Sequence, residues 1–220
     1  MFESIKLIEY DIKSANANVM YVEGIIDKEK YDSLTSMNKM KRVITVGNMI
    51  KGDMDLYKDL KAGIKKYTDK FIEVNNLSDN VYEVVTDAVW VYNKYPSKTK
   101  LNEHIEFTKD RVATSVMVLN DKIKIYYNST TGELYNRGIG KIDHGVFTFM
   151  KRLKKFMKLK EGNHHKLLYK TLHEYHLDYI RGDVEESDRF SIAKKNKDLQ
   201  DDPGNDDNYK FVKLMIKNLL

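Results

Sequence analysis

The segment VYEVVTDAVWVYN (81–93) is the strongest local constraint on how this chain can fold. Two short runs rich in β-branched and aromatic residues, 81–85 and 89–93, flank the tripeptide Thr86–Asp87–Ala88. Runs of this kind on either side of a few turn residues are typical of a β-hairpin. The segment therefore predicts two antiparallel strands with Asp87 at the tip or shoulder of their turn.

A further strand is predicted at 4–12, where SIKLIEYDI mixes alternation with β-forming residues. The pattern becomes helical from Ser14, which places Asp11 at a strand end near a helix N-terminus, a favourable position for phosphate chemistry. Apolar residues three or four apart predict helices across 28–76. Downstream, the sequence predicts strands at 104–108, 112–119, 122–127 and 133–138 and helices at about 146–160, 164–181 and 208–220.

The order of these elements predicts the class of fold. Strand, helices, hairpin, meander and helices indicate an α+β fold with helices packed on an antiparallel sheet. A chain of 220 residues suits one compact domain with a small appendage. We expect a first domain at 1–145, with a helical insertion at 28–76, and a helical region at 146–220 that contains an acidic loop at 198–207.

Composition excludes several classes of protein. The chain has no cysteine, so it has no disulfides, thiolate metal ligands or cysteine nucleophile. No apolar stretch approaches the roughly 20 residues of a membrane helix, and the start of the chain does not have the pattern of a signal peptide. We expect a cytoplasmic protein without a membrane partner. Heavy use of Lys, Asn, Ile and Tyr indicates an AT-rich genome, such as that of a phage of a low-GC bacterium.

The charge distribution favours a polyanionic partner. The chain has 38 basic and 33 acidic residues, a formal charge of +5. The basic residues concentrate at 39–70 and 151–170, and the acidic ones at 183–207. This separation is typical of nucleic-acid-binding proteins, although an ordinary solvated surface gives the same pattern.

Asp11 and Asp87 have the positions that two-metal chemistry uses. Two-metal nucleotidyl transfer needs two carboxylates from distant parts of the sequence, which hold a pair of Mg²⁺ or Mn²⁺ ions. Adjacent strands of one sheet would bring a strand end and a hairpin turn together. Aspartate is also common in turns and helix caps, so position alone leaves a structural role open.

Four segments resemble, in order, the motifs of B-family DNA polymerases. YDIKSANA (10–17) resembles motif A, in which D-x-x-S-x-Y-P follows a strand, and VVTDAVWV (84–91) resembles motif C, the hairpin around D-T-D-S. HIEFTKDRV (104–112) is similar to the family's acidic–aromatic–lysine strand, and KIKIYYNSTTGELYNRGIGKID (122–143) to its K-K-x-Y … G-K stretch. The resemblance implies a sheet of the polymerase palm type, a fingers-like insertion at 28–76 and a thumb-like C-terminal region.

Carried over to this chain, the resemblance implies roles for individual residues. Asp11 and Asp87 would be the catalytic metal ligands, with the Ile12 carbonyl as a backbone ligand. Ser14 and Asn16 would lie beside the incoming nucleoside triphosphate. KMKRVITVGN, the candidate fingers motif, would add Lys41 or Arg42. Contacts with nucleic acid would come from basic and aromatic residues: Lys109, Lys122, Lys124, Tyr126, Lys151, Arg152, Lys154 and Lys155.

The sequence also departs from the family's pattern. Val85 replaces the first aspartate of D-T-D, and Asn16 replaces the tyrosine that screens the sugar 2′ position. The stretch between Asp11 and Asp87 is far shorter than usual fingers. The run 147–160 fits a thumb-like helix on a phosphate backbone, a membrane-surface helix or an amphipathic helix with a lysine-rich solvent face.

Three functions follow from these observations. The first is a minimal phage-type DNA polymerase-like nucleotidyltransferase that extends a nucleic acid 3′ end with nucleoside triphosphates. The second is a non-catalytic, palm-derived nucleic-acid-binding subunit of a phage replication or transcription complex, which the departures favour. The third is an inhibitor or modulator of a host protein. The first two differ in whether the two carboxylates still meet.

Overall fold

The strands form one six-stranded antiparallel sheet, in the order β2-β3-β1-β4-β5-β6. The structure is a computed structural model that describes residues 2–118, 124–137 and 154–164, with 166–167, 169–170, 173–174, 177 and 181. The strands are β1 (Phe2–Ile12), β2 (Val81–Val85), β3 (Ala88–Tyr92), β4 (Phe107–Val118), β5 (Lys124–Asn128) and β6 (Glu133–Arg137). The predicted α+β class is confirmed.

Four α-helices lie between β1 and β2: α1 (Ala15–Val22), α2 (Lys28–Ser36), α3 (Lys39–Gly52) and α4 (Met54–Val74). A 3₁₀ turn at Ser78–Asn80 leads into β2, and residues 154–161 are helical. Side-chain oxygens of Asp27, Asn38 and Asp53 accept hydrogen bonds from the first-turn amides of α2, α3 and α4. These N-caps explain why three helices follow one another so closely, since each cap satisfies amides that have no partner within the helix.

The core beside the carboxylates lies between β1, β3 and the helices. Ile8, Tyr10 and Ile12 alternate along β1 and pack with buried residues of α1 and α4. Alternate residues of a strand point to one face, so this face of β1 is covered by helices. Helix α4 lies so close to α1 that a Cβ added at Gly63 would be only 2.6 Å from Val19 Cγ1. A larger residue at that position would push the two helices apart.

The chain divides into two compact units, one of residues Leu7–Val112 and the other of Met1–Lys6 with Ala113–Leu220. The first unit contains all of α1 to α4 and both candidate metal ligands, Asp11 and Asp87. In the second, Phe156 and Met157 of the helical stretch 154–161 are buried. The division into 1–145 and 146–220 stays a prediction. The predicted loop 198–207 and helix 208–220 lie outside the described residues.

One element differs from its prediction. The sequence predicts separate strands at 104–108 and 112–119, whereas the structure has a single strand, β4. Exposed residues at 108–111, of which 109–111 are charged, interrupt the apolar pattern, as a turn would. The backbone continues through them, because hydrogen bonding within a sheet does not depend on the polarity of the side chains.

Candidate functional site

The sheet brings Asp11 and Asp87 together. Strands β1 and β3 are antiparallel neighbours, and Asp11 pairs with Ala88 in the register of the ladder. The Ile12 amide donates a hydrogen bond of 3.2 Å to the Asp87 carbonyl. The charge of Asp87 and a side-chain hydrogen bond with Asp87 are both causes that raise the pKa of Asp11, so the two carboxyl groups are within reach of each other. Two ionised carboxylates this close repel each other, which makes a second negative charge at this site unfavourable.

Strained backbone flanks both carboxylates. Thr86 and Asp87 form the two-residue turn between the paired residues Val85 and Ala88, and Thr86 has φ 55°. A β-branched residue rarely adopts this left-handed conformation. After the end of β1, Ser14 has φ 51° and caps α1 without a side-chain hydrogen bond. Strain of this kind costs on the order of 1–3 kcal/mol per residue and is common at functional sites.

Burial and like charges raise the pKa of Asp11 to about 7. Burial is the largest cause, followed by the charge of Asp87, the hydrogen bond with Asp87 and the charge of Asp110, whereas Lys39 lowers this pKa. Oxygen Oδ1 of Asp11 is buried and has no hydrogen-bond partner. A buried carboxylate oxygen without a donor is costly and is a position where a cation would be stabilising.

Glu9 is a third carboxyl at this end of the sheet, and the sequence motifs did not identify it. Only 6 % of Glu9 is exposed. Burial raises its pKa to about 7, Arg111 opposes that shift, and Asp110, Asp11 and Asp87 add to it. Its Oε2 lies 3.6 Å from Arg111 Nε. The alternation of β1 was the available signal, because Glu9 and Asp11 are two residues apart and share a face.

Other predicted residues of the nucleotide site have the following positions. Ser14 caps α1 after the turn that follows Asp11, and Asn16 lies in the first turn of the helix. Ile12 is buried and belongs to the core. Lys39, rather than Lys41 or Arg42, is the cation whose charge acts on Asp11. All three cations lie in the first turn of α3, a helix without acidic residues.

The predicted nucleic-acid contacts divide between the two units. Lys109 is exposed on β4 in the first unit. In the second, Lys124 is half-buried at the start of β5, Tyr126 is buried in that strand, and Lys154 and Lys155 are exposed on the helical stretch 154–161. The remaining three predicted contacts lie outside the described residues: Lys122, Lys151 and Arg152.

The carboxylate pair fits Mg²⁺, which keeps water or substrate ligands, better than it fits a metal whose ligands all come from the protein. Among the described residues, no group of three or more histidine, cysteine or carboxylate side chains is arranged to hold a metal ion. Mg²⁺ and Mn²⁺ are often bound by one or two carboxylates while water and substrate phosphate oxygens complete the shell. Asp11 and Asp87 would be such a pair, and Asp11 Oδ1 has no hydrogen-bond partner that a cation would have to displace.

Fold and site together define an α+β protein in which a strand end and a hairpin turn present two neighbouring carboxyl groups. The chain belongs to the family of the bacteriophage PBS1 gene 130 protein, whose family model matches residues 3–217. No curated protein matches the sequence. The expected phage-type protein is confirmed at this level. The family description names no activity, so the resemblance to B-family polymerases stays a prediction.

Among the described helices, none is both long enough and apolar enough to cross a membrane.

Proposed function

We propose that this phage protein is a minimal nucleotidyltransferase that extends a nucleic acid 3′ end with nucleoside triphosphates. The juxtaposition of Asp11, near the end of β1, and Asp87, in the turn before β3, carries the proposal, because the Asp87 carboxyl raises the pKa of Asp11. Glu9, Asp87 and Asp110 make the surroundings of Asp11 strongly negative. A divalent cation is the ligand that such a site stabilises most, since its charge removes the repulsion between the carboxyl groups.

The side chains around the pair suggest how the reaction would be arranged. When bound, Mg²⁺ or Mn²⁺ would activate the attacking hydroxyl and neutralise the leaving pyrophosphate. Asp11 and Asp87 would hold the cations at the end of a rigid sheet. Lys39, whose charge already reaches Asp11, would attract the triphosphate and orient it as a point charge. Lys41 and Arg42 would extend this positive surface along α3.

Ser14 and Asn16 are the residues that we propose select the nucleotide. Ser14 caps α1 after the turn that follows Asp11, and Asn16 lies in the first turn of that helix. Ser14 would lie by the triphosphate. Asn16 is a smaller residue than the tyrosine of B-family polymerases, so we propose that it leaves room for a ribose 2′-hydroxyl. The enzyme would then accept ribonucleotides along with deoxyribonucleotides.

A labelled primer–template with Mg²⁺ or Mn²⁺ and all nucleotides tests this function. We expect wild-type protein to extend the primer and Asp87→Ala and Asp11→Asn to lose activity by at least about 100-fold, since each substitution removes a metal ligand. Asp59→Asn is a matched control, because Asp59 is an exposed aspartate on α4. Primer extension at the wild-type rate in both Asp87→Ala and Asp11→Asn would contradict the proposal.

A second candidate function is a palm-derived subunit that binds nucleic acid without extending it, within a phage replication or transcription complex. Val85 favours it, because an apolar residue pairs with Ala88 where the resembling family has its first aspartate. Under this function, wild-type protein binds the primer–template in a salt-dependent way but never extends it. A binding assay on the same substrate therefore separates the two functions.

A further inference from the structure

The turn between Asp11 and α1 is closed by hydrogen bonds to its backbone. The Lys13 amide donates to the Glu106 carbonyl at 2.9 Å. The Lys13 carbonyl accepts from Nδ2 of Asn18 at 2.6 Å. The Ser14 carbonyl accepts from the Asn18 amide at 3.1 Å. Asn18 thus contacts the turn twice, once with its backbone and once with its side chain, next to the residue whose φ is left-handed.

The Asn18 side chain is itself held in one orientation. Only 8 % of Asn18 is exposed, and its Oδ1 accepts a hydrogen bond of 3.1 Å from the Tyr31 hydroxyl of α2. The oxygen of the Tyr31 hydroxyl lies 3.3 Å from Nδ1 of His104. The Tyr31 ring stacks on Tyr21 with 4.4 Å between ring centroids. Both ends of the Asn18 amide are therefore engaged, which fixes the Nδ2 group on the Lys13 carbonyl.

We propose that Asn18, held by Tyr31, is a positioning residue for the Asp11 carboxylate. It stabilises the strained turn at Ser14 and so sets the direction from which Asp11 meets Asp87. The reason is that a left-handed non-glycine residue persists only where its surroundings over-determine it. As far as the carboxylates bind a cation, the inference rests on the proposed function. The part that concerns the turn is independent of it.

This network has a measurable consequence at the carboxylates. Groups that orient metal ligands commonly change metal affinity by about 10- to 100-fold when they are removed. We therefore expect Asn18→Leu to weaken Mn²⁺ binding at least about 10-fold. Leucine has a side chain of similar size to asparagine but no amide. Tyr31→Phe removes only the hydroxyl and should give a smaller loss, about 3-fold or more, without a change in shape.

Asn75→Leu is a control that matches Asn18→Leu in burial and bonding. Asn75 is 6 % exposed, and its Nδ2 donates to the carbonyls of Phe71 and Lys98, both at 2.9 Å. Like Asn18, it therefore uses a buried amide to hold backbone, but it follows α4 rather than Asp11. A general loss of stability would affect the two variants alike. A positioning role would not.

Two measurements on the full chain test the inference: native-state hydrogen exchange of the amides at 10–17, and Mn²⁺ affinity by titration calorimetry at matched stability. We expect Asn18→Leu and Tyr31→Phe to speed exchange at 10–17 and to weaken Mn²⁺ binding, and Asn75→Leu to do neither. Equal exchange in the variants of Asn18 and Asn75 would overturn the inference, as would unchanged Mn²⁺ affinity in Asn18→Leu.

The two proposals fail in different ways. If the wild-type protein binds no Mn²⁺, the proposed function is overturned, and hydrogen exchange alone decides the role of Asn18. Faster exchange at 10–17 in Asn18→Leu, and not in Asn75→Leu, would then support Asn18 as the residue that holds the turn. If wild-type protein binds Mn²⁺ and only Tyr31→Phe folds, its affinity relative to wild type decides: a loss supports the inference and no loss overturns it.

Discussion

The carboxylate end of β1 and helix α3 lie in the same unit but differ in how far their residues are buried. Around Asp11, the backbone is hydrogen-bonded on both sides, and Glu9 beside it is buried. In α3, Val46 is the one buried residue. Met40, Val43 and Ile44 of that helix are 76 %, 54 % and 58 % exposed.

The difference indicates where precision and mobility are built into this protein. A site that holds cations must keep its ligands within a fraction of an ångström, which a strand between two neighbours provides. A helix with few buried contacts opens locally at low free energy, and such elements are the usual source of moving parts. We expect the carboxylate end to be a fixed platform and α3 to change position when a ligand binds near Lys39.

The largest expected effect on stability is at the core beneath the platform. Phe71 is fully buried and stacks on Phe107 with 4.0 Å between ring centroids. Phe71→Ala should lower the free energy of unfolding by about 3–5 kcal/mol, because it removes apolar burial and leaves a cavity. Urea denaturation checks this value. A loss below about 1 kcal/mol would mean that the platform is not rigid.

Asp11→Asn should stabilise the protein without divalent cations. The pKa of Asp11 is raised to about 7 in the folded state, so the folded state keeps its proton while the unfolded state loses it near pH 4. Wild-type stability therefore falls as pH rises from about 4 to 7, and the penalty remains above pH 7. Allowing for partial solvation, we expect a gain of about 1–2 kcal/mol at pH 8 and little change at pH 4.

Added Mg²⁺ should reverse that order. Binding to the folded state alone stabilises by about 2.7 kcal/mol at a cation concentration 100 times the dissociation constant. We expect thermal melting of wild-type protein to shift upward with Mg²⁺ and that of Asp11→Asn to stay unchanged. Equal shifts in the two proteins would place the cation elsewhere.

Thr86→Gly isolates the strain in the hairpin turn. Thr86 has φ 55°, a conformation that glycine adopts without steric cost. Relief of strain should raise the free energy of unfolding, and the flexibility of glycine in the unfolded chain should offset part of the gain, which leaves about 0.5–1 kcal/mol. Thermal denaturation at pH 4 is the measurement. A loss of stability would show that the threonine side chain supports the turn.

The smallest effect is expected on α3. Ile44 is exposed, so Ile44→Ser should change the free energy of unfolding by less than about 0.5 kcal/mol. Hydrogen exchange should show α3 amides exchanging faster than those of β1, in wild-type protein and variant alike. Protection of α3 equal to that of β1 would remove the contrast between the two regions.

Local features of the fold could be predicted because their signals are local. The hairpin follows from two β-rich runs around a short turn, and the helices of 28–76 follow from apolar residues three or four apart. The sequence also singled out Asp11 and Asp87, since Asp11 ends a predicted strand and Asp87 lies in the predicted hairpin turn. Strand β4 was predicted in two pieces, because the charged residues at 109–111 interrupt the apolar pattern while the backbone of the strand continues through them.

Only the tertiary structure decided which strands are neighbours and in which register. The pairing of Asp11 with Ala88 brings the Asp11 and Asp87 carboxyls together, and a shift of one residue would turn one of them to the opposite face. Tertiary packing also buried Glu9, placed Lys39 rather than Lys41 near Asp11, and set the Tyr31 hydroxyl against Asn18. Sequence patterns describe how a segment folds on itself, whereas charge coupling and burial depend on residues that are far apart in the chain.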